Sequence, residues 1–175
     1  IFLRKYKPKF VCDPFCGSGT TLVEALALGV NSFGSDISEF NCLLSRVKTD
    51  SYDTDKLEWE IEDILRRAFS PPQLRIMEGQ ALYVASTYLK DWYAPAALSE
   101  LLSYRSFIHE YHYQDILKIV LSRSARSARQ TTHFDLDFPK SPTTEPYECY
   151  KHSRECRPTR NAKQFLTRYS HDTLR

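Results

Sequence analysis

The sequence predicts an α/β fold built on a partial parallel sheet, and three observations predict it. Residues 9–36, KFVCDPFCGSGTTLVEALALGVNSFGSD, read as a strand, a glycine turn, a helix and a second strand. Residues 55–128 follow helical periodicity and read as a helical insertion. Residues 129–175 are rich in basic residues and proline and lose that periodicity, giving a long basic loop region. At 175 residues the chain is expected to form a single domain or a large part of one, with residues 1–50 as a cofactor-binding βαβ unit.

Taken in order, Phe10, Val11 and Cys12 form a short apolar run between Pro8 and Asp13-Pro14, which predicts a buried parallel strand ending at Asp13. Gly17 and Gly19 lack Cβ atoms, so the turn between them tolerates positive φ and lets a ligand approach the backbone. Thr21 and Glu24 have capping-box spacing, Leu22, Ala25 and Leu26 give one apolar face, and Gly29 suits a left-handed helix end. The second strand, residues 32–36, closes on Asp36, which lies 17 residues beyond Gly19. An acid there suits the hydroxyls of a ribose.

Three cofactors compete for such a unit. A dinucleotide fingerprint needs a third glycine where Leu22 stands, and a P-loop needs Gly-Lys-Ser/Thr, which the chain lacks. S-adenosylmethionine needs ribose recognition and a place for a methionine head group, but no pyrophosphate cradle. The loop fits that need best.

Further along, residues 39–47 suit a short helix and residues 50–55 a polar break. Leu57, Ile61, Ile64, Leu65 and Ala68 fall on one helical face ending before Ser70-Pro71-Pro72. Residues 80–91, 95–111 and 114–129 also read as helical, with Leu98, Leu101, Leu102 and Ile108 on one core face and Ile116, Leu117, Val120 and Leu121 on another. Trp59, Trp92, Tyr93, Tyr104 and Phe107 are expected to pack helices rather than stack on bases. Residues 130–160 read as a long loop and 162–169 as a short terminal helix.

DPFCGSGTTLVEA, followed by a glycine and then GSD, resembles motifs I and II of the amino-methyltransferases, and most closely those that act on DNA. The match covers residues 9–38. It implies a Rossmann-like methyltransferase core and an S-adenosyl-L-methionine site. In that site Asp13, Phe15, Gly17, Ser18, Gly19 and Thr20 would line the methionine and ribose side, Asp36 would hold the ribose hydroxyls, and Ile37 would pack on adenine. The implied activity is methylation of the adenine or cytosine exocyclic amine in DNA, as in restriction-modification. RNA base methylation, and a module that binds cofactor and nucleic acid without catalysis, stay open as alternatives.

The family's methyl-acceptor motif is Asp/Asn/Ser-Pro-Pro-aromatic. Ser70-Pro71-Pro72-Gln73 lacks the ring and follows a helix, so it reads as a helix stop; Asp137-Phe138-Pro139-Lys140 has one proline. Catalytic residues are therefore left unassigned, with the acceptor motif expected outside this chain or degenerate.

Residues 1–122 hold 13 Lys/Arg against 16 Asp/Glu, and residues 123–175 hold 11 against 6. Arg123, Arg126, Arg129, Lys140, Lys151 and Arg154 are the expected phosphate contacts, with capping of a helix C-terminus as the alternative for the three arginines. Five cysteines, an odd number, suit reduced thiols and an intracellular, cytoplasmic protein. Cys149, His152 and Cys156 form C-x2-H-x3-C, one ligand short of a structural zinc site; Cys12 or His133 could complete it, and no metal is assigned. The partners expected are DNA, with RNA as the alternative, and the remainder of a methyltransferase or a restriction-system subunit. No apolar run approaches the roughly 18 residues of a membrane span.

Overall fold

The computed structural model describes residues 2–6, 8–84, 87–133 and 139–174. It divides into two compact units, Ile1–Asp53 and Thr54–Arg175.

The first unit runs α1 (Phe2–Tyr6), β1 (Phe10–Asp13), α2 (Thr20–Ala27), β2 (Asn31–Gly34) and α3 (Glu39–Thr49). β1 and β2 pair in parallel, from Phe10 opposite Asn31 to Asp13 opposite Gly34. The first strand, predicted to be buried, is not: Phe10 is 58% exposed, and Phe33 on β2 59%, because among the described residues this sheet is two strands wide. Mixed α/β architecture with a small parallel sheet is thus present.

The expected capping box gives way to the glycine turn itself. Gly19 occupies the N-cap of α2 in the left-handed region at φ 81°, and no side chain caps the helix. Ala25 is fully buried as expected, whereas Leu26 is exposed. At the other end Gly29 has φ 66°, and the amides of Gly29 and Val30 donate to the carbonyls of Leu26 and Ala25. Gly34 keeps β2 close to this helix, since a Cβ there would lie 2.8 Å from Leu22 Cδ1 and 2.9 Å from Cys16 Cβ.

The second unit contains α4 (Thr54–Ala68), α5 (Pro71–Val84), α6 (Thr87–Trp92) and α7 (Pro95–Phe107), which tightens into a 3-10 turn at Ile108–Glu110. It continues with α8 (Gln114–Ala128), β3 (Tyr147–Cys149), β4 (Arg154–Cys156) and α9 (Lys163–Thr173). Leu57, Ile61, Ile64, Leu65 and Ala68 are all buried, as their spacing requires, and so are Leu98, Leu101, Ile108, Ile116, Leu117 and Val120. Ser70-Pro71-Pro72 stops α4 and starts α5, with Pro71 as the first helical residue. The helix expected at 80–91 is instead the end of α5 and all of α6, and residues 85–86 between them lie outside the described residues. Tyr104 and Trp92 are buried as expected, but Trp59 is 63% exposed.

Within the expected loop, β3 and β4 form an antiparallel hairpin, with Tyr147 opposite Cys156 and Cys149 opposite Arg154. Strands of three residues are too short to show alternation in a sequence. Among the described residues no helix is long and apolar enough to cross a membrane.

Two helices of this unit begin on carboxylates borrowed from elsewhere in the chain. Glu60, on α4 and 3% exposed, accepts the amides of His112 (3.0 Å) and Tyr113 (2.9 Å) just ahead of α8. Glu100, on α7, accepts the amides of Ala162 and Lys163 at the start of α9. Orphan amides at a helix start need such acceptors, and a negative charge there also suits the helix dipole. Glu60→Ala leaves two amides without their acceptor and is expected to lower stability by about 3 kcal/mol, with Glu60→Gln losing less. Urea unfolding of the chain measures this; a loss below about 0.5 kcal/mol would show that water replaces the carboxylate at no cost.

Candidate functional site

The turn between β1 and α2 is held from three directions. Across the strand ends, the Ser35 amide donates to the Asp13 carbonyl and the Cys16 amide to the Ser35 carbonyl, each at 3.0 Å. Within the turn, the Gly19 amide donates to the Cys16 carbonyl at 2.8 Å. From α3, Ser45 Oγ donates to the Gly17 carbonyl at 3.2 Å and Lys48 Nζ to the Ser18 carbonyl at 2.8 Å. The two glycines serve different ends. A Cβ on Gly19 would lie 2.7 Å from Ser45 Oγ, so Gly19 admits α3; a Cβ on Gly17, at φ 51°, would meet nothing within 4 Å and points into open space.

Asp36, just past β2, joins this turn to α3. Its Oδ2 accepts the Gly17 amide at 2.9 Å, while Oδ1 accepts the Ser38 amide at 2.9 Å and the Asn41 side-chain amide at 3.0 Å. The Ser38 amide most of all, then Asn41, hold this carboxyl below the usual carboxylate range, with burial opposing them and the Gly17 amide adding less. Ser38 itself caps α3, accepting the Asn41 amide. Asn41, Ser45 and Lys48 belong to no motif in the sequence. Their signal is positional: they are polar and spaced i, i+4 and i+7 on one face of α3.

The remaining residues expected at this site surround the same turn. Asp13 Oδ1 accepts the Phe15 amide at 3.2 Å, and Thr20 is the first residue of α2. Phe15 is 87% exposed and Ile37 fully so. A fixed carboxylate, an open backbone turn and two apolar side chains in water offer acceptors for a diol and a surface for a flat ring.

In the second unit the basic residues divide. Arg126, Arg129, Lys151 and Arg168 line one cleft of about 410 Å³, together with His133 and His152. Arg123 instead lies over the Tyr169 ring at 4.2 Å, and Arg129 stacks on Trp92 at 5.0 Å as it reaches the cleft. Lys140 and Arg154 are exposed and lie outside the lining. His152, Cys149 and Cys156 are joined by His133, the residue the local spacing lacked. Burial, and next the neighbouring His152, lower the pKa of His133.

Ser70-Pro71-Pro72 sits at the start of a helix with Gln73 turned to Ser106, so it offers no aromatic wall. Asp137 and Phe138 lie outside the described residues.

A family model described as DNA methylase, of the N6/N4 class, matches residues 5–46. Type II methyltransferase M.MjaII of Methanocaldococcus jannaschii is 32% identical over 228 residues, covering 94% of this chain and 43% of that protein. Type II methyltransferase M.MvaI of Kocuria varians is 26% identical over 137 residues, covering 74% of this chain and 30% of that protein. The chain therefore spans less than half the length of these relatives. No solved structure matches.

Because the folded-state pKa of Asp36 is depressed, its stabilising effect is complete above the unfolded value near 3.8 and disappears as pH falls through the lower folded value. Asp36→Asn is thus expected to flatten the loss of stability as pH falls from above 3.8 to below it. Unfolding curves of wild type and variant across that window check it; parallel pH profiles would show that the carboxylate bonds to the turn do not persist in solution.

Proposed function

We propose that this chain belongs to the DNA adenine and cytosine amino-methyltransferases and supplies the S-adenosyl-L-methionine site of such an enzyme, on a Rossmann-like methyltransferase core. The observation that carries the reading is the Asp36 carboxylate, tied to a glycine turn at the carboxyl ends of parallel strands and flanked by exposed Phe15 and Ile37.

The residues fit the cofactor's parts. A carboxylate has about four acceptor sites, and Asp36 uses three within the protein, which leaves one for a ribose hydroxyl and makes the Gly17 amide the contact a second hydroxyl would displace. Asp13, Gly17, Ser18, Gly19 and Thr20 would border the methionine end, where the open space beside Gly17 lets a ligand meet backbone. Phe15 would line the methionine and ribose side, and Ile37 would cover the adenine. When bound, the cofactor supplies a methyl group on a sulfonium. The acceptor would be an exocyclic amine of DNA, whose phosphates Arg126, Arg129, Lys140, Lys151 and Arg154 would hold, with Arg123 set back against Tyr169. An Asp/Asn/Ser-Pro-Pro-aromatic loop is not among the described residues, so cofactor binding is assigned to this chain and the amine-binding loop is not.

Ile37 makes a clean test because its exposed side chain contributes little to folding. Ile37→Ser is expected to leave the unfolding midpoint in place and to weaken S-adenosylmethionine binding about tenfold, the worth of one buried aliphatic side chain. Titration calorimetry decides; unchanged affinity would remove Ile37 from the site, and no binding by the wild-type chain would remove the cofactor.

The phosphate contacts have a separate readout. Each lost contact flattens log affinity against log salt by about 0.9 for duplex DNA, so replacing Arg126, Lys140 and Lys151 with alanine should flatten the slope by about two to three units for any sequence. Fluorescence anisotropy across a salt series measures it. A wild-type slope in the triple variant would place the DNA surface elsewhere, and a preference for RNA of the same length would favour the RNA reading.

A further inference from the structure

We propose that His133, Cys149, His152 and Cys156 form a structural zinc site that clamps the β3–β4 hairpin to the segment following α8. One ligand atom from each of the four lies within 4.8 Å of the others. Sulfur meets nitrogen three times, Cys149 Sγ to His133 Nδ1 at 3.6 Å, Cys149 Sγ to His152 Nδ1 at 3.5 Å and Cys156 Sγ to His152 Nδ1 at 3.4 Å. A tetrahedral zinc with bonds of about 2.3 Å to sulfur and about 2.0–2.1 Å to nitrogen holds sulfur and nitrogen about 3.6 Å apart. The three contacts have that edge length.

Hydrogen bonding alone does not account for the cluster. Two thiols approach the same nitrogen, His152 Nδ1, which carries either one lone pair or one hydrogen. Cys156 can bond to His152 and Cys149 to His133, which pairs the four groups two by two and leaves the 3.5 Å approach of Cys149 to His152 without a proton of its own. A single cation at the centre satisfies both sulfurs and both rings.

The backbone presents the ligands to one point. Cys149 ends β3 and Cys156 ends β4, and the intervening turn folds back through Ser153 at φ 50°, with the amides of His152 and Ser153 both donating to the Cys149 carbonyl. His133 arrives from the other side, its amide donating to Tyr147 Oη at 2.8 Å and its ring edge-on to His152 at 4.9 Å between centroids. The sulfurs are buried and the imidazoles exposed, so an ion would enter from the histidine side. A hairpin with three-residue strands is marginal without an added constraint, and a cross-link supplies one.

The donor set selects the metal. Two thiolates and two imidazoles in a tetrahedron favour zinc, and four protein ligands leave no open position, which marks a structural rather than a catalytic ion. Binding forms two zinc–thiolate bonds and releases the two thiol protons to solvent. The neutral site would then fix His133 and His152 on the wall of the basic cleft beside Lys151.

The full chain, expressed with zinc and purified without chelator, is expected to hold about one zinc per chain by elemental mass spectrometry. Cys149→Ser and Cys156→Ser should each lower the content at least tenfold, while Cys12→Ser, an exposed thiol in the other unit, should retain it. A variant that fails to fold would also lose metal, so cobalt(II) added to the demetallated wild type reads ligation directly. Intense visible bands of tetrahedral cobalt with a sulfur-to-cobalt absorption in the near ultraviolet are expected, and His133→Cys should keep the former and strengthen the latter. Failure of the wild type to take up zinc, the weak bands of octahedral cobalt, retention of full zinc by the double Cys149→Ser, Cys156→Ser variant, or a Cys149–Cys156 disulfide formed under reductant would each overturn the site.

Discussion

Backbone amides at a helix start need acceptors, and among the described residues this chain meets that need with carboxylates, twice from another helix and once from the loop just ahead. Asp36 takes the Ser38 amide ahead of α3, Glu60 takes the two amides ahead of α8, and Glu100 takes those that begin α9. In each case the carboxylate does more than cap. Glu60 fastens α4 to α8 and Glu100 fastens α7 to α9, so the helical unit is registered by polar contacts at its helix ends as well as by its apolar faces.

Asp36 carries the same logic into the candidate cofactor site. Its second oxygen reaches back to Gly17, so the group that would recognise a ribose also shapes the turn that would meet the rest of the cofactor. Ser45 and Lys48 on α3 hold the carbonyls of that turn, leaving its outer side open. The turn is thus held by bonds within the protein itself, which would limit the ordering cost of binding.

In the basic unit, guanidinium groups serve packing as well as charge. Arg123 and Arg129 lie on Tyr169 and Trp92, an arrangement that uses the planar, weakly hydrated face of arginine. Lysines have no such face, and Lys140 and Lys151 remain exposed. The same charge excess thus divides into side chains that brace helices and side chains directed to solvent.

What the sequence determined by itself is local in origin. The DPFCGSGT turn, the acid after the second strand and the buried face of α4 depend on residues a few positions apart, where backbone sterics and helical period act. The proline pair stopping α4 belongs to the same class, because a missing amide acts where it stands. Tertiary structure decided the rest. The three-residue strands of the hairpin are too short for a period, and the exposure of Phe10 and Phe33 depends on how many strands share their sheet. His133 lies 16 residues before Cys149, and only folding brings its nitrogen within 3.6 Å of that sulfur. A ligand set is a relation among atoms in space, and no spacing along the chain encodes it when its members come from separate elements.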